Sequence, residues 1–177
     1  MRRLFAQLIV MAGVVGLDQA TKAVLVRSLE LHDSVPLVDG LLSLTHVHNR
    51  GAAFGLLSDW DMPCQPLLLS VLSIAALLAI VFYFVRLPAA ARLPRLALAL
   101  VLGGAVGNLI DRVHLGYVVD FIHVYWRQYQ WPDFNMADSA ITVGVTLLVF
   151  DILRSSGHDA SLRPQTETTG GPPGRTE

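Results

Sequence analysis

Leu67-Leu-Leu-Ser-Val-Leu-Ser-Ile-Ala-Ala-Leu-Leu-Ala-Ile-Val-Phe-Tyr-Phe-Val85 contains no charged residue. A helix of about 20 such residues crosses a hydrocarbon core of roughly 30 Å. The rest of the chain agrees with a membrane setting. Of its 177 residues 53% are hydrophobic and only 15% charged, whereas soluble domains run near about 45–50% apolar and about 25% charged. Mean hydropathy is +0.52. A water-soluble domain of this length could not hide so much apolar side chain. The net charge of −1 leaves no basic stripe for a nucleic-acid partner. The single cysteine, Cys64, excludes an internal disulfide and a cysteine-based metal cage.

Working outward from this run, three more spans are expected, giving four at residues 4–26, 67–85, 95–112 and 137–154. The third and fourth apolar runs are short, so each extends into a polar flank: Asn108-Leu-Ile-Asp111-Arg112 and Phe134-Asn-Met-Ala-Asp138-Ser139. The basic start Met1-Arg-Arg resembles the head of a cleavable leader. The apolar run resumes after Asp18-Gln19 without a clean cleavage site, so a retained first span is expected. Arg2, Arg3, Arg86, Arg92, Arg95 and Arg154 flank the spans on one side. Segment 28–66 carries Glu30, Asp33, Asp39, Asp59 and Asp61 against Arg50 alone. By the positive-inside rule both termini and the 86–95 loop are cytoplasmic.

The outward segment has its own pattern. Val35-Pro-Leu-Val38 and Leu41-Leu-Ser-Leu-Thr-His-Val-His48 read as short strands around the turn Asp39-Gly40. An α-helical membrane protein of four spans is therefore expected, with a small extracytoplasmic β-region over about 29–57 between helices 1 and 2. Residues 1–154 form one membrane-embedded domain in this reading. The tail 155–177, rich in Thr, Gly and Pro, cannot bury a core and reads as a disordered cytoplasmic segment.

Ionisable residues inside a bilayer are costly, about 2.5–3.5 kcal/mol each on insertion scales, so they pair or work. Asp18 lies roughly 21 Å up its helix from Leu4, and Lys22 stands one turn further on the same face. The two either form an ion pair fixing helix 1 or support a site. Gly103, Gly104 and Gly107 make a small-residue face for close helix approach. Asn108, Asp111 and Arg112 then project from one side of the outer end, as a polar terminus or as part of a site. Asp120 sits among valines and aromatics in Gly116-Tyr-Val-Val-Asp-Phe-Ile-His123, and desolvation there should raise its pKa. Asp138 could simply cap the fourth helix, yet the topology brings it to the same outer rim as Asp120.

Two carboxylates in contact in an apolar setting share a proton, so one acts as base while the other acts as acid. Such a pair can deprotonate a water, aim it at a peptide carbonyl and protonate the leaving amine. Asn49, Asn108 and Asn135 could hold a substrate backbone without adding charge. The zinc helix His-Glu-x-x-His, the Gly-x-Ser-x-Gly turn and Ser-x-x-Lys do not occur. His46-x-His48 would be half a metal site, but alternate strand residues on a surface are commonly just exposed. His114 and His123 read as interfacial histidines. No metal site and no cofactor are expected.

Five blocks carry a family resemblance: Asp18-Gln-Ala-Thr-Lys22, Asn49-Arg-Gly-Ala-Ala-Phe54, Gly103-Gly-Ala-Val-Gly-Asn-Leu-Ile-Asp-Arg112, Val118-Val-Asp-Phe-Ile122 and Phe134-Asn-Met-Ala-Asp-Ser139. In this order and spacing the chain resembles signal peptidase II, the bacterial lipoprotein signal peptidase. The resemblance spans roughly residues 4–154. It implies an inner-membrane aspartic endopeptidase that cuts diacylglyceryl-modified prolipoproteins before the lipidated cysteine, with its active site near the outer face. It also implies Asp120 and Asp138 as the catalytic dyad. Asn49, Asn108, Arg112 and Asn135 match positions that bind substrate or the peptide antibiotic globomycin, and Asp18 and Asp111 match positions needed for stability or activity. Lipidated substrate and membrane lipids are the expected partners. Two other classes fit parts of the pattern: a proton-coupled transporter using Asp18, Asp111 and Asp120 as a relay, and a non-catalytic scaffold packed through the glycine face.

Overall fold

The computed structural model describes residues 2–51 and 64–161. Among these residues four helices are long and apolar enough to cross a membrane: α1 (Arg2–Ser28), α2 (Gln65–Arg86), α3 (Arg92–Leu115) and α4 (Met136–Ser161). The chain is a multi-pass membrane protein. Among the described residues there are also four strands: β1 (Ser34–Val38), β2 (Leu42–Asn49), β3 (Val118–Trp126) and β4 (Tyr129–Gln130). Residues 52–57 of the expected β-region, with Asp59 and Asp61, lie outside the described residues, as does 162–177 of the tail. The tail's first residues, 155–161, continue α4 as helix.

Helix α3 is the central element. Half of its spanning window is buried, against 11–17% for the other three helices. It packs on α1, α2 and α4, while α2 hardly touches α1 or α4. Glycines make these approaches possible. A Cβ on Gly103 would come within 2.9 Å of the Val14 Cβ on α1, and one on Gly144 within 2.6 Å of the Ala97 carbonyl. Large apolar side chains such as Phe5, Leu8, Leu78, Phe82, Val85, Phe150 and Ile152 point away from the bundle, which suits lipid as the surrounding solvent.

The strands form one antiparallel sheet in the order β1-β2-β3-β4, capping one end of the bundle. Two of its strands come from the segment after α3, where no strand was expected. The reason lies in burial: Val118, Val119, Asp120 and Phe121 are all buried. With both faces covered, the polar–apolar alternation that betrays a surface strand is missing. Val119 and Phe121 pack with Leu25 near the end of α1, together with Leu29, Leu44 and Met136. Asp120 therefore points to the opposite face, where the side-chain amides of Asn49 and Asn135 reach it. The Gly116 residue makes the turn into β3. Its φ of +81° is left-handed, and its N–H caps α3 on the Arg112 carbonyl. A strap then returns to α4: Phe134 O accepts the N–H groups of Phe121 and Ile122, at 3.0 and 2.8 Å. That strap ends at Asn135.

Candidate active site

Asp120 on β3 and Asp138 in the first turn of α4 face one another across Asn135. Each of their four carboxylate oxygens accepts one amide N–H. Asn135 Nδ2 donates to Asp120 Oδ1 at 2.7 Å and Asn49 Nδ2 to Asp120 Oδ2 at 2.9 Å. Asn108 Nδ2 donates to Asp138 Oδ1 at 2.8 Å, and the Asn135 backbone N–H to Asp138 Oδ2 at 3.2 Å. The two acids are joined through amides; no direct carboxylate–carboxylate hydrogen bond occurs among the described residues.

Asn135 also settles the capping question. Its Oδ1 accepts the Asp138 N–H at 3.0 Å while Asp138 accepts the Asn135 N–H. This reciprocal pair is a capping box with Asn135 as N-cap and Asp138 at the third helical position. Asp138 thus caps only as the second partner, and its remaining oxygen stays turned to Asn108. Asn135 is fully buried, so its second role, donating to Asp120, is shielded from competing water.

Beneath this layer lies a buried charge cluster. The Lys22 ammonium donates to Asp18 Oδ2 and Asp111 Oδ2, both at 2.8 Å, and to Asn108 Oδ1 at 3.1 Å. All three of its protons are committed. Asp18, Lys22 and Asp111 are each less than 5% exposed, so the anticipated ion pair is a triad. Asp18 Oδ1 accepts the Ala137 N–H at 3.0 Å, which pins the first turn of α4 and places a negative charge where the helix dipole favours one. Asp111 Oδ2 accepts the Val119 N–H at 3.2 Å, which pins β3 one residue before Asp120. The oxygen of Asn108 is held by Lys22 and by Asn135 Nδ2. Its amide nitrogen must therefore face Asp138. In this way the triad orients both acids without touching either.

Burial pushes the Asp120 carboxyl up to about 7, and the neighbouring Asp138 charge adds to the effect. The amides of Asn49 and Asn135 and the Lys22 charge pull it back in part. Arg112 sits at the rim, where its Nη2 donates to Gly51 O at 3.4 Å. It lines, with Asn108 and Asp138, a groove of about 320 Å³ between α2, α3 and α4, whose other walls include Leu69, Leu72, Ala76 and Ile141. This groove opens where α2 and α4 stand apart, and it leads from apolar helix surface to a carboxylate.

All nine residues singled out in the sequence meet in this assembly. Gln19 was missed: its Nε2 donates to Asp111 Oδ1 at 2.9 Å, Asp18 Oδ2 at 3.2 Å and Gly107 O at 3.3 Å. Its only signal was its place beside Asp18. His46 differs from expectation in being buried rather than exposed. His123 Nδ1 pairs with Asp133 Oδ1 at 2.7 Å. No group of three or more possible metal ligands occurs among the described residues.

Residues 10–154 match the model of the family Signal peptidase (SPase) II. A lipoprotein signal peptidase of Geobacter sulfurreducens is 48% identical over 151 residues, 85% of this chain and 93% of the relative. The Geobacillus kaustophilus lipoprotein signal peptidase is 47% identical over 77% of this chain and 86% of its own. A solved structure described as "Bacterial membrane enzyme structure by the in meso method at 2.3 A resolution" superimposes with a TM-score of 0.76 at 32% identity, covering 92% of this chain and 93% of that one. A family match over most of the chain, on a bundle and sheet shared with a solved membrane enzyme, leads to one assignment: the chain belongs to the signal peptidase II family.

Proposed function

We propose that the chain is an aspartic endopeptidase that removes signal peptides from diacylglyceryl-modified prolipoproteins, with Asp120 and Asp138 as its catalytic pair. The observation that carries this reading is the pairing itself: two acids in a buried setting, each oxygen held by an amide donor, linked through Asn135. Asp120, pushed up to about 7, keeps the proton, and Asp138 acts as base. Asp138 takes a proton from water as the water oxygen bonds to the scissile carbonyl carbon, and Asp120 gives its proton to the carbonyl oxygen. The tetrahedral intermediate collapses as the C–N bond breaks. Asp138 then passes its proton to the leaving amine and Asp120 recovers its own from the hydroxyl.

The groove between α2, α3 and α4 suits an apolar signal helix entering from lipid, with its scissile bond stopped at Asp138. Asn49, Asn108 and Arg112 are the proposed contacts to substrate backbone, and the cyclic peptide globomycin is expected to compete for them. The basic residues 2, 3, 86, 92, 95 and 154 cluster away from the sheet end. This supports cytoplasmic termini, an inner-membrane location and a site near the outer face. A relay transporter is disfavoured by the placement of the acids: α2 has none, and in the other spanning windows Asp18, Asp111 and Asp138 gather at the sheet end, with only Asp151 beyond.

The test is cleavage by purified chain in detergent, with products identified by mass. The reading expects a product beginning at the lipidated cysteine and no cut in the unlipidated precursor. Equal cleavage of both precursors, or cleavage elsewhere, would overturn it.

A further inference from the structure

On the same sheet, apart from the acid pair, two histidines converge. His46 and His48 alternate along β2, and their Nε2 atoms lie 3.2 Å apart. His46 Nδ1 is 3.0 Å from Leu29 O. A carbonyl only accepts, so that nitrogen carries a proton and the neutral ring presents a bare Nε2. His48 then donates its own Nε2–H to it. The His48 ring is held from the other side by Tyr117, stacked at 3.7 Å between centroids and 18° between planes.

This arrangement has the marks of a chelating pair. Zn–N bonds are about 2.0–2.1 Å, and two of them reaching nitrogens 3.2 Å apart would subtend about 105°, close to the tetrahedral angle. Metal-bound imidazoles characteristically donate their second N–H to a backbone carbonyl, which fixes tautomer and orientation; His46 already does so with Leu29. No third histidine, cysteine or carboxylate completes a cluster among the described residues. His48 is half-buried, so water can fill the remaining positions.

We propose that His46 and His48 form a two-histidine site for a divalent transition cation, with zinc as the best match to an imidazole pair. Binding needs His48 to move its proton from Nε2 to Nδ1, after which both Nε2 lone pairs face the ion and no proton need leave the protein. The site lies one residue before Asn49, whose amide donates to Asp120, so an ion there ties down the strand that carries that donor. This proposal is independent of the peptidase reading.

The experiment titrates the full chain in detergent with Zn2+ alone, by calorimetry, and with Co2+ by visible absorption. Three variants accompany it: His48→Phe, which keeps a ring over Tyr117 without a nitrogen, His46→Gln, and Asp138→Asn. The expected result is one site per chain, with affinity falling about tenfold or more in either histidine variant and unchanged in Asp138→Asn. Melting curves without metal identify any variant that fails to fold, and the other histidine variant then decides. Equal binding by parent and histidine variants, absence of binding by the parent, or loss of binding in Asp138→Asn overturns the proposal.

Discussion

If Asp120 is the acid that keeps the proton, its protonation sets the upper pH limit of activity, and Asn49 controls where that limit falls. Asn49 Nδ2 donates to Asp120 Oδ2 at 2.9 Å and stabilises the ionised carboxylate. Asn49→Ala removes that donor. A hydrogen bond to a charged group contributes about 1.5–3 kcal/mol, and about 1.4 kcal/mol corresponds to one pH unit. Asn49 is itself half-buried, so entering water replaces part of the loss and a shift of about one pH unit remains. The sign follows directly: with its charged form less favoured, Asp120 holds its proton to higher pH. The alkaline limb of kcat/KM, expected near 7 in the parent from the raised Asp120 value, moves upward. The variant also loses the Gly51 N–H bond to Asn49 Oδ1 at 2.8 Å, which lowers the rate but not the limb position. The assay is a pH profile of cleavage of a lipidated fluorogenic peptide. A limb that stays in place or moves toward acid refutes the role given to Asp120.

Other consequences follow from the same contacts. Lys22→Met leaves Asp18 and Asp111 buried without their shared cation and should cost about 3–5 kcal/mol, read as a large fall in melting temperature. In Gly107→Ala the new Cβ would stand 2.7 Å from Asp18 Oδ2, so a loss of about 1–3 kcal/mol and a drop in activity are expected, measured by thermal shift and cleavage together. Asn135→Ala breaks the capping box and the donor to Asp120; a stability loss of about 1–2 kcal/mol should accompany a fall in kcat of about 100-fold or more. Because the Asp120 carboxyl is raised, ionising it penalises the folded state increasingly between about pH 4 and 7, and fully above. Asp120→Asn should thus melt higher than the parent at pH 8, with the advantage vanishing near pH 4.

The spans and the charged residues were legible because a bilayer makes both conspicuous. An uninterrupted run such as Leu67–Val85 has few alternative readings, and each acid inside a membrane protein needs a partner. Strand β3 was not legible. Val118–Phe121 is covered on both faces, and its partner β2 lies some seventy residues earlier, as in the pair Val47–Asp120. Asp138 was legible as a possible cap of α4, but Asn135 as the N-cap and Asp138 as its reciprocal partner were not, because Asn-x-x-Asp departs from the usual Ser/Thr-x-x-Glu/Gln form of a capping box. The sequence placed Asp18 and Lys22 on one face but could not show Asp111 joining them, since that contact depends on how closely α1 and α3 approach. Nor could it show His46 buried, because burial on a strand depends on what the neighbouring elements cover.

The catalytic pair is tested most directly by cleavage rates of Asp120→Asn, Asp138→Asn and the parent, measured side by side on lipidated substrate with melting curves taken on the same samples. The account predicts that both variants stay folded and lose about a thousandfold or more in kcat. If either folded variant cleaves within about tenfold of the parent, the pair is not the catalytic machinery.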